Sequence, residues 1–244
     1  YFKFTRIIYL IDIISMLYIF YRLINTQKIF KYNNEPNNLI TKGRIQKNSL
    51  IESNIKWILD LIPLLSLTFF ITGVMSLLQG ILPLDIANGG IIRPPLKEHR
   101  VATLIGIKLF LLAIFQWPVG YIFRNKNSSF KFRLCLISLL IGSILLTLST
   151  FLINGYLIIL IAFIPITISL CLFLPSASEA IIKSSPIKYR ASAIAAYSQC
   201  FGISALTVPL MAGKLIDNYD TALLLWLIVS LICVFLIPIC KRIK

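Results

Sequence analysis

Long runs of apolar residues dominate the chain, and polar stretches separate them. Seven such runs can be marked, at residues 7–23, 58–84, 101–123, 134–153, 156–177, 191–216 and 221–240. Runs of this kind predict membrane-spanning helices, because about 20 residues at 1.5 Å each cross about 30 Å of hydrocarbon. The pattern therefore predicts an all-α, polytopic membrane helix bundle with about seven transmembrane helices.

One longer polar stretch, at residues 25–56, interrupts this pattern. It carries an asparagine-rich cluster around Glu35 and Pro36 and has no strong periodicity, which is typical of a flexible linker. We therefore predict a transmembrane helix within residues 1–24, a cytoplasmic linker at 25–56 and six transmembrane helices within 57–244. Because the chain opens at Tyr1, next to an apolar run, we also expect it to be a truncated piece of a longer protein.

The basic residues predict an orientation for these helices. With the linker on the cytoplasmic side, seven alternating crossings put 17 of the 24 lysines and arginines on that side, six on the other and Lys108 within a span. Cytoplasmic loops of membrane proteins carry such an excess of basic residues. The same rule accounts for the formal net charge of +15 without nucleic acid as a partner. We expect an integral protein of the plasma (inner) membrane with a cytoplasmic C-terminus.

Composition and motifs argue against soluble enzyme classes. The chain is 58% hydrophobic and 14% charged, whereas soluble domains carry about a quarter charged residues. The five cysteines contain no C-x-x-C pair, and His99 is the only histidine, so no metal site is predicted. No P-loop, HExxH or serine triad pattern occurs. We predict no catalytic residues, no cofactor and no enzymatic activity.

The layout resembles the major facilitator superfamily from its sixth helix to its twelfth. The stretch from Gln116 to Lys126 is similar to the basic loop after helix eight of that family. Pro118 and Gly120 match it, while Arg124 stands where the family has an aspartate. The stretch from Ser185 to Ala195 resembles the opening of helix eleven, with Pro186, Arg190 and small residues following. In that helix the run Gly202, Pro209, Gly213, Asp217 is also similar.

This resemblance implies the architecture and the activity of a secondary active transporter. The chain would contribute the last helix of the N-terminal half and the whole C-terminal half, built from two inverted three-helix repeats. A small solute would cross by alternating access, with protons or Na⁺ as candidate coupling ions. The missing N-terminal half and the lipid bilayer would be its partners. The gating loop would comprise Gly120, Arg124, Lys126 and Arg190.

Polar side chains inside the predicted spans are candidates for the wall of the translocation cavity. Lys108 lies well inside its span, where an ionisable group usually faces a cavity or a partner. Snorkelling of its long stem toward the headgroups is the alternative. Gln116, about 80° away on the same helix, could share its cavity face. Gln79 and Gln199 complete the predicted set, and interhelical hydrogen bonds are the alternative for each glutamine.

Glu179 lies at the end of the fifth segment and is a candidate for proton coupling. The alternative is an ordinary ion pair with Lys183, which follows at the i+4 position.

Two other classes of protein remain open from the sequence. A permease subunit of a larger pump would have similar spans. A membrane-embedded transferase could use the D-x-x-D pair Asp217 and Asp220 to hold Mg²⁺ and a diphosphate. We predict instead that these aspartates belong to a turn and a helix N-cap.

Overall fold

The computed structural model describes residues 45–219 and 221–240, and these residues are almost entirely helical. The helices are α1 (Ile45–Asn88), α2 (Glu98–Ile122), α3 (Ser128–Ser149), α4 (Gly155–Ser184), α5 (Arg190–Tyr219) and α6 (Leu223–Ile239), with a 3-10 turn at Ile187–Tyr189. Over the described range there is no strand, so the predicted all-α class is confirmed. The first predicted segment, residues 7–23, lies outside the described residues.

Five of the helices are long and apolar enough to cross a membrane. They are Leu61–Asn88 within α1, the helices α2, α3 and α4, and the stretch Ile187–Asn218 that contains α5. α6 has 17 residues, which gives a length of about 26 Å, slightly less than the hydrocarbon thickness. The chain is thus an integral membrane protein built as a helical bundle.

α1 begins earlier than its apolar segment. It has 44 residues, whereas about 20 are enough to cross the hydrocarbon. Residues 45–56, at the end of the predicted linker, are therefore helical. The chain divides into two compact units, Tyr1–Ile51 and Glu52–Lys244, and the first is described only over 45–51. The cytoplasmic location of the linker stays a prediction.

α3 and α4 form the most extensive helix pair, and α6 packs on α3 while α2 packs on α4. Gly142 of α3 makes the central contact possible, because a Cβ there would collide with the Ile166 side chain of α4. In the same two helices Phe132, Phe163 and Phe173 are completely buried. Close approach through a small residue is the usual way in which membrane helices gain packing contacts.

Two groups of contacts define the two ends of the bundle. At one end, here called the Arg93 end, the backbone N–H of Ile92 in the α1–α2 loop donates to the carbonyl of Thr150 after α3, at 2.9 Å. At the other, here called the Glu179 end, Ser129 of α3 donates to the carbonyl of Cys240 after α6, at 2.7 Å. The α2–α3 loop, residues 123–127, lies at this second end.

Candidate functional site

Lys108 is buried between α2 and α1. It is 5% exposed, and its Nζ donates to the backbone carbonyl of Leu78 at 2.8 Å. It makes no ion pair with a carboxylate of the described residues. The ammonium group therefore bonds to the α1 backbone instead of snorkelling to the surface. Whether it also contacts a solute stays a prediction.

A proline in α1, Pro83, lies five residues after Leu78. Pro83 has no backbone N–H, so the carbonyl of Gln79, four residues earlier, has no intrahelical donor. Lys108 brings a strong donor to the adjacent carbonyl, that of Leu78. Donors from a neighbouring helix are a common way to stabilise a proline break in a membrane span.

The three predicted glutamines lie apart from this buried lysine. Gln79, Gln116 and Gln199 are all exposed on the bundle surface. Lys108 and Gln116 therefore point in different directions from α2, one into the bundle and the other out of it. Within the described part of the chain, no hydrogen bond joins any two of the four predicted cavity residues. The structure does not bring them into one cluster.

Glu179 holds two lysines at its end of the bundle. Its Oε1 accepts from Lys183 at 2.6 Å and its Oε2 lies 3.5 Å from the Nζ of Lys131 on α3. The i+4 pair that is the alternative to proton coupling is therefore present. Lys131 also lies 3.5 Å from the carbonyl of Arg124, so this ion-pair group connects α3, α4 and the α2–α3 loop. Proton coupling by Glu179 stays a prediction.

The residues of the predicted gating loop lie at the surface. Gly120 and Arg124 line an open groove of about 490 Å³ on the outer face of α2, together with Ala113, Gln116, Trp117 and Tyr121. Lys126 and Arg190 are exposed. All of these belong to the Glu179 end, and their gating role stays a prediction.

A buried ion pair at the Arg93 end was not predicted from the sequence. The Arg93 guanidinium donates to the carboxylate of Asp85 at 3.0 Å and to its backbone carbonyl at 2.8 Å. Its other terminal nitrogen donates to Ser149 Oγ at 2.9 Å, and Trp226 Nε1 donates to the second carboxylate oxygen at 3.2 Å. Both charged side chains are at most 1% exposed. This cluster joins α1, the α1–α2 loop, α3 and α6.

Two glycines let the chain close around this cluster. Gly89, directly after α1, has φ +89°, a left-handed conformation that favours glycine. Gly155 begins α4 against the end of α3, where a Cβ would overlap the carbonyl oxygen of Ser149. The sequence does carry a clue to the cluster: Asp85 ends an apolar segment, and an arginine follows the Gly89–Gly90 turn. The distribution of basic residues, by contrast, assigns Arg93 a side of the membrane but no partner.

Of the two aspartates of the D-x-x-D pattern, the structure describes only Asp217, which lies in a helix and not in the predicted turn. Asp217 is exposed in the last turn of α5, and α6 has Ala222 at its N-cap. Asp220 lies outside the described residues. No group of three or more potential metal ligands occurs among the residues that the structure describes.

Burial is distributed unevenly over the spans. In the most apolar window of each helix, 56% of the residues are buried in α1, α3 and α4, compared with 17% in α2 and 6% in the α5 stretch. The α5 window also has the lowest mean hydropathy, 1.4, whereas α4 has the highest, 2.9. The least apolar span is therefore the least covered by the rest of the bundle.

Comparison with known proteins gives no relative. No family model, no curated protein and no solved structure matches the chain. The resemblance to the major facilitator superfamily therefore rests on the sequence pattern alone.

Proposed function

We propose that this chain is part of a secondary active transporter, which moves a small solute across the membrane by alternating access. The observation that carries the proposal is the exposure of α5. A span in contact with lipid is expected to be strongly apolar, because polar groups in hydrocarbon cost free energy. α5 is the least apolar span and yet only 6% of its window is buried. Its exposed face is mixed: Ser198 and Gln199 are exposed on it, and so are Ile203, Leu206 and Leu210.

A translocation cavity would place this face against water and against a second half of the transporter instead of against lipid. In this proposal Gln199 on α5 and Gln79 on α1 contribute amide groups to the wall. α1 and α5 are in direct contact, since Thr72 Oγ1 and Ser204 Oγ lie 2.6 Å apart in the buried interface. Lys108 stands behind this wall and bonds to α1 next to Gln79. The remaining wall would come from the N-terminal half of the same protein.

Alternating access needs a bundle that moves as one body, and the two ends of this one support that requirement. The Asp85–Arg93 cluster connects α1 and α3 to α6 at one end. The ion pairs of Glu179 connect α3 to α4 at the other. Each set of contacts joins the first three helices to the last three. The six helices could then rock together against a second half.

Flux in liposomes tests the proposed activity. The purified protein, expressed from its whole reading frame, would be reconstituted with a pH-sensitive dye inside the vesicles. Sugars, amino acids, organic anions and organic cations would be added in turn, with and without a proton or sodium gradient. We expect one class to enter in a gradient-dependent manner without ATP. Gln199→Leu should slow that uptake by up to about tenfold, as expected for one lost hydrogen bond.

The matched control is Ile141→Leu, a substitution of similar size on α3, which should leave the uptake rate unchanged. Uptake that ignores ion gradients and requires ATP would reject the proposal. Co-purification with an ATPase would then identify the chain as a permease subunit of a larger pump.

A further inference from the structure

The groove on the outer face of α2 has a floor of small residues, a wall of aromatic side chains and positive charges at one end. Its floor is formed by small residues, Ala113 and Gly120, which lie two helical turns apart. A Cβ at Gly120 would have no atom within 4 Å, so the floor is open. The volume of about 490 Å³ is enough for part of a flexible chain. The groove runs toward the end of α2 and has Arg124 among its last lining residues.

Two aromatic side chains form the wall of the groove. The rings of Trp117 and Tyr121 stack with their centroids 5.9 Å apart, and the two residues are 78% and 71% exposed. They lie in the last turns of a membrane span, immediately before a basic loop. Tryptophan and tyrosine are enriched at this level because their rings suit the boundary between hydrocarbon and headgroups.

The cations at the end of the groove are available for an anionic partner. Lys131 and Lys183 share the carboxylate of Glu179. Arg124 and Lys126, by contrast, are exposed and form no ion pair with any residue in the described part of the chain. Two exposed, unpaired positive charges therefore follow directly after the aromatic wall.

We propose that this groove binds an anionic phospholipid. One acyl chain lies along Ala113 and Gly120 beside the two aromatic rings, and the headgroup phosphate contacts Arg124 and Lys126. Arginine matches a phosphate through paired N–H groups, and lysine adds a point charge. Basic residues next to a membrane span contribute selectivity for anionic lipids, roughly fivefold for each charge. The inference concerns lipid binding and does not depend on the transported solute.

Tryptophan quenching by brominated lipids tests this proposal in the full chain. A Trp57→Phe variant keeps Trp117 and Trp226, and Trp226 is 1% exposed and so serves as an internal reference shielded from lipid. The protein would be placed in phosphatidylcholine vesicles containing either brominated phosphatidylglycerol or brominated phosphatidylcholine at the same fraction. When these fractions are varied, we expect half-maximal quenching of Trp117 at a fraction of brominated phosphatidylglycerol at least about fivefold lower than that of brominated phosphatidylcholine.

Charge and shape variants separate specific binding from general contact with lipid. Arg124→Gln with Lys126→Gln should abolish the preference for the anionic lipid. Lys188→Gln with Arg190→Gln makes the same change of charge away from the groove and should preserve it. Gly120→Leu should weaken quenching by filling the floor while leaving the charges in place.

Two results would overturn the proposal. Equal quenching by both lipids would reduce the groove to ordinary lipid contact without selectivity. The absence of quenching by either lipid would mean that another protein segment covers Trp117, and would favour the gating role predicted for Gly120 and Arg124. Neither result bears on flux in liposomes, so transport and lipid binding can fail separately.

Discussion

Asp85 and Arg93 carry opposite charges in a part of the bundle that water does not reach. Removing such charges from water costs several kcal/mol for each ion, and the cost is offset only if the pair is well bonded. Here the carboxylate also accepts from Trp226, and the guanidinium also donates to Ser149. The pair is thus held by partners on two other helices, α3 and α6, and loss of one member leaves the other charge uncompensated.

The first prediction concerns Asp85→Asn, which removes the negative charge at constant size. The unpaired Arg93 cation should lower the free energy of unfolding by about 3–5 kcal/mol. Unfolding in detergent micelles, followed by the fluorescence of the buried Trp226, measures this change.

Glu179→Gln provides the comparison at the opposite end. Its side chain is 42% exposed, so solvent screens the ion pairs. The substitution should therefore lower the free energy of unfolding by less than about 1 kcal/mol. The double variant Asp85→Asn, Arg93→Met should recover part of the stability. If Asp85→Asn lowers the free energy of unfolding no more than Glu179→Gln does, the Asp85–Arg93 pair contributes no more than a surface contact.

Local contacts of single residues could be predicted from the sequence, whereas contacts between distant helices could not. The Glu179–Lys183 pair follows from i+4 spacing on one helix, and the structure contains it. The partner of Asp85 on α6 is 141 residues away, and no local pattern encodes such a contact. Lys108 was correctly located inside a span, but its acceptor is a backbone carbonyl of another helix. Because every residue has a carbonyl, composition and spacing cannot single that one out.

The helix pair α3–α4 depends on the absence of a side chain at one point. Gly142 lies against Ile166, whereas Gly106 on α2 has open space around it. The two glycines therefore form a natural pair for testing how closely the helices approach each other.

We predict opposite effects for the same substitution at these two glycines. Gly142→Ala should destabilise the bundle by about 1–3 kcal/mol, because the new methyl group overpacks the contact with α4. Gly106→Ala should be neutral or stabilising by up to about 1 kcal/mol, because alanine favours the helix. Unfolding midpoints of the two variants in the same detergent give the comparison. Equal effects would mean that the α3–α4 contact is looser than described.

The helices differ in how far the sequence determines them. Six apolar runs predicted the six described helices, because the thickness of the hydrocarbon sets the length that each run must have. The helical residues 45–56 were missed, since this part of α1 is polar and lies next to asparagine-rich sequence. The exposure of α5 was also missed. Only 6% of its window is buried in the described bundle, and the length and hydropathy of an apolar run do not indicate how much of it the other helices cover.

For the molecule as a whole, the connections between helices predict which loops share a side of the membrane. Residues 123–127 and 185–189 both lie at the Glu179 end, and Ile91 lies at the Arg93 end. In a Cys200→Ser background, Asn125→Cys and Pro186→Cys should react with an impermeant thiol reagent from one side only. Ile91→Cys should react only from the other side. Reaction of Asn125→Cys and Ile91→Cys from the same side would contradict the predicted alternation of the spans.

In the proposed transporter the outer face of α5 borders an aqueous pathway, and cysteine accessibility at position 199 tests this most directly. Gln199→Cys would be compared with Ile141→Cys, an exposed position midway along α3, in a Cys200→Ser background and in native membranes. A charged, water-soluble thiol reagent should modify the cysteine at 199 at least about tenfold faster, since thiolates form and react in water but not in hydrocarbon. Equally slow modification at both positions would place α5 in lipid and contradict the transporter account.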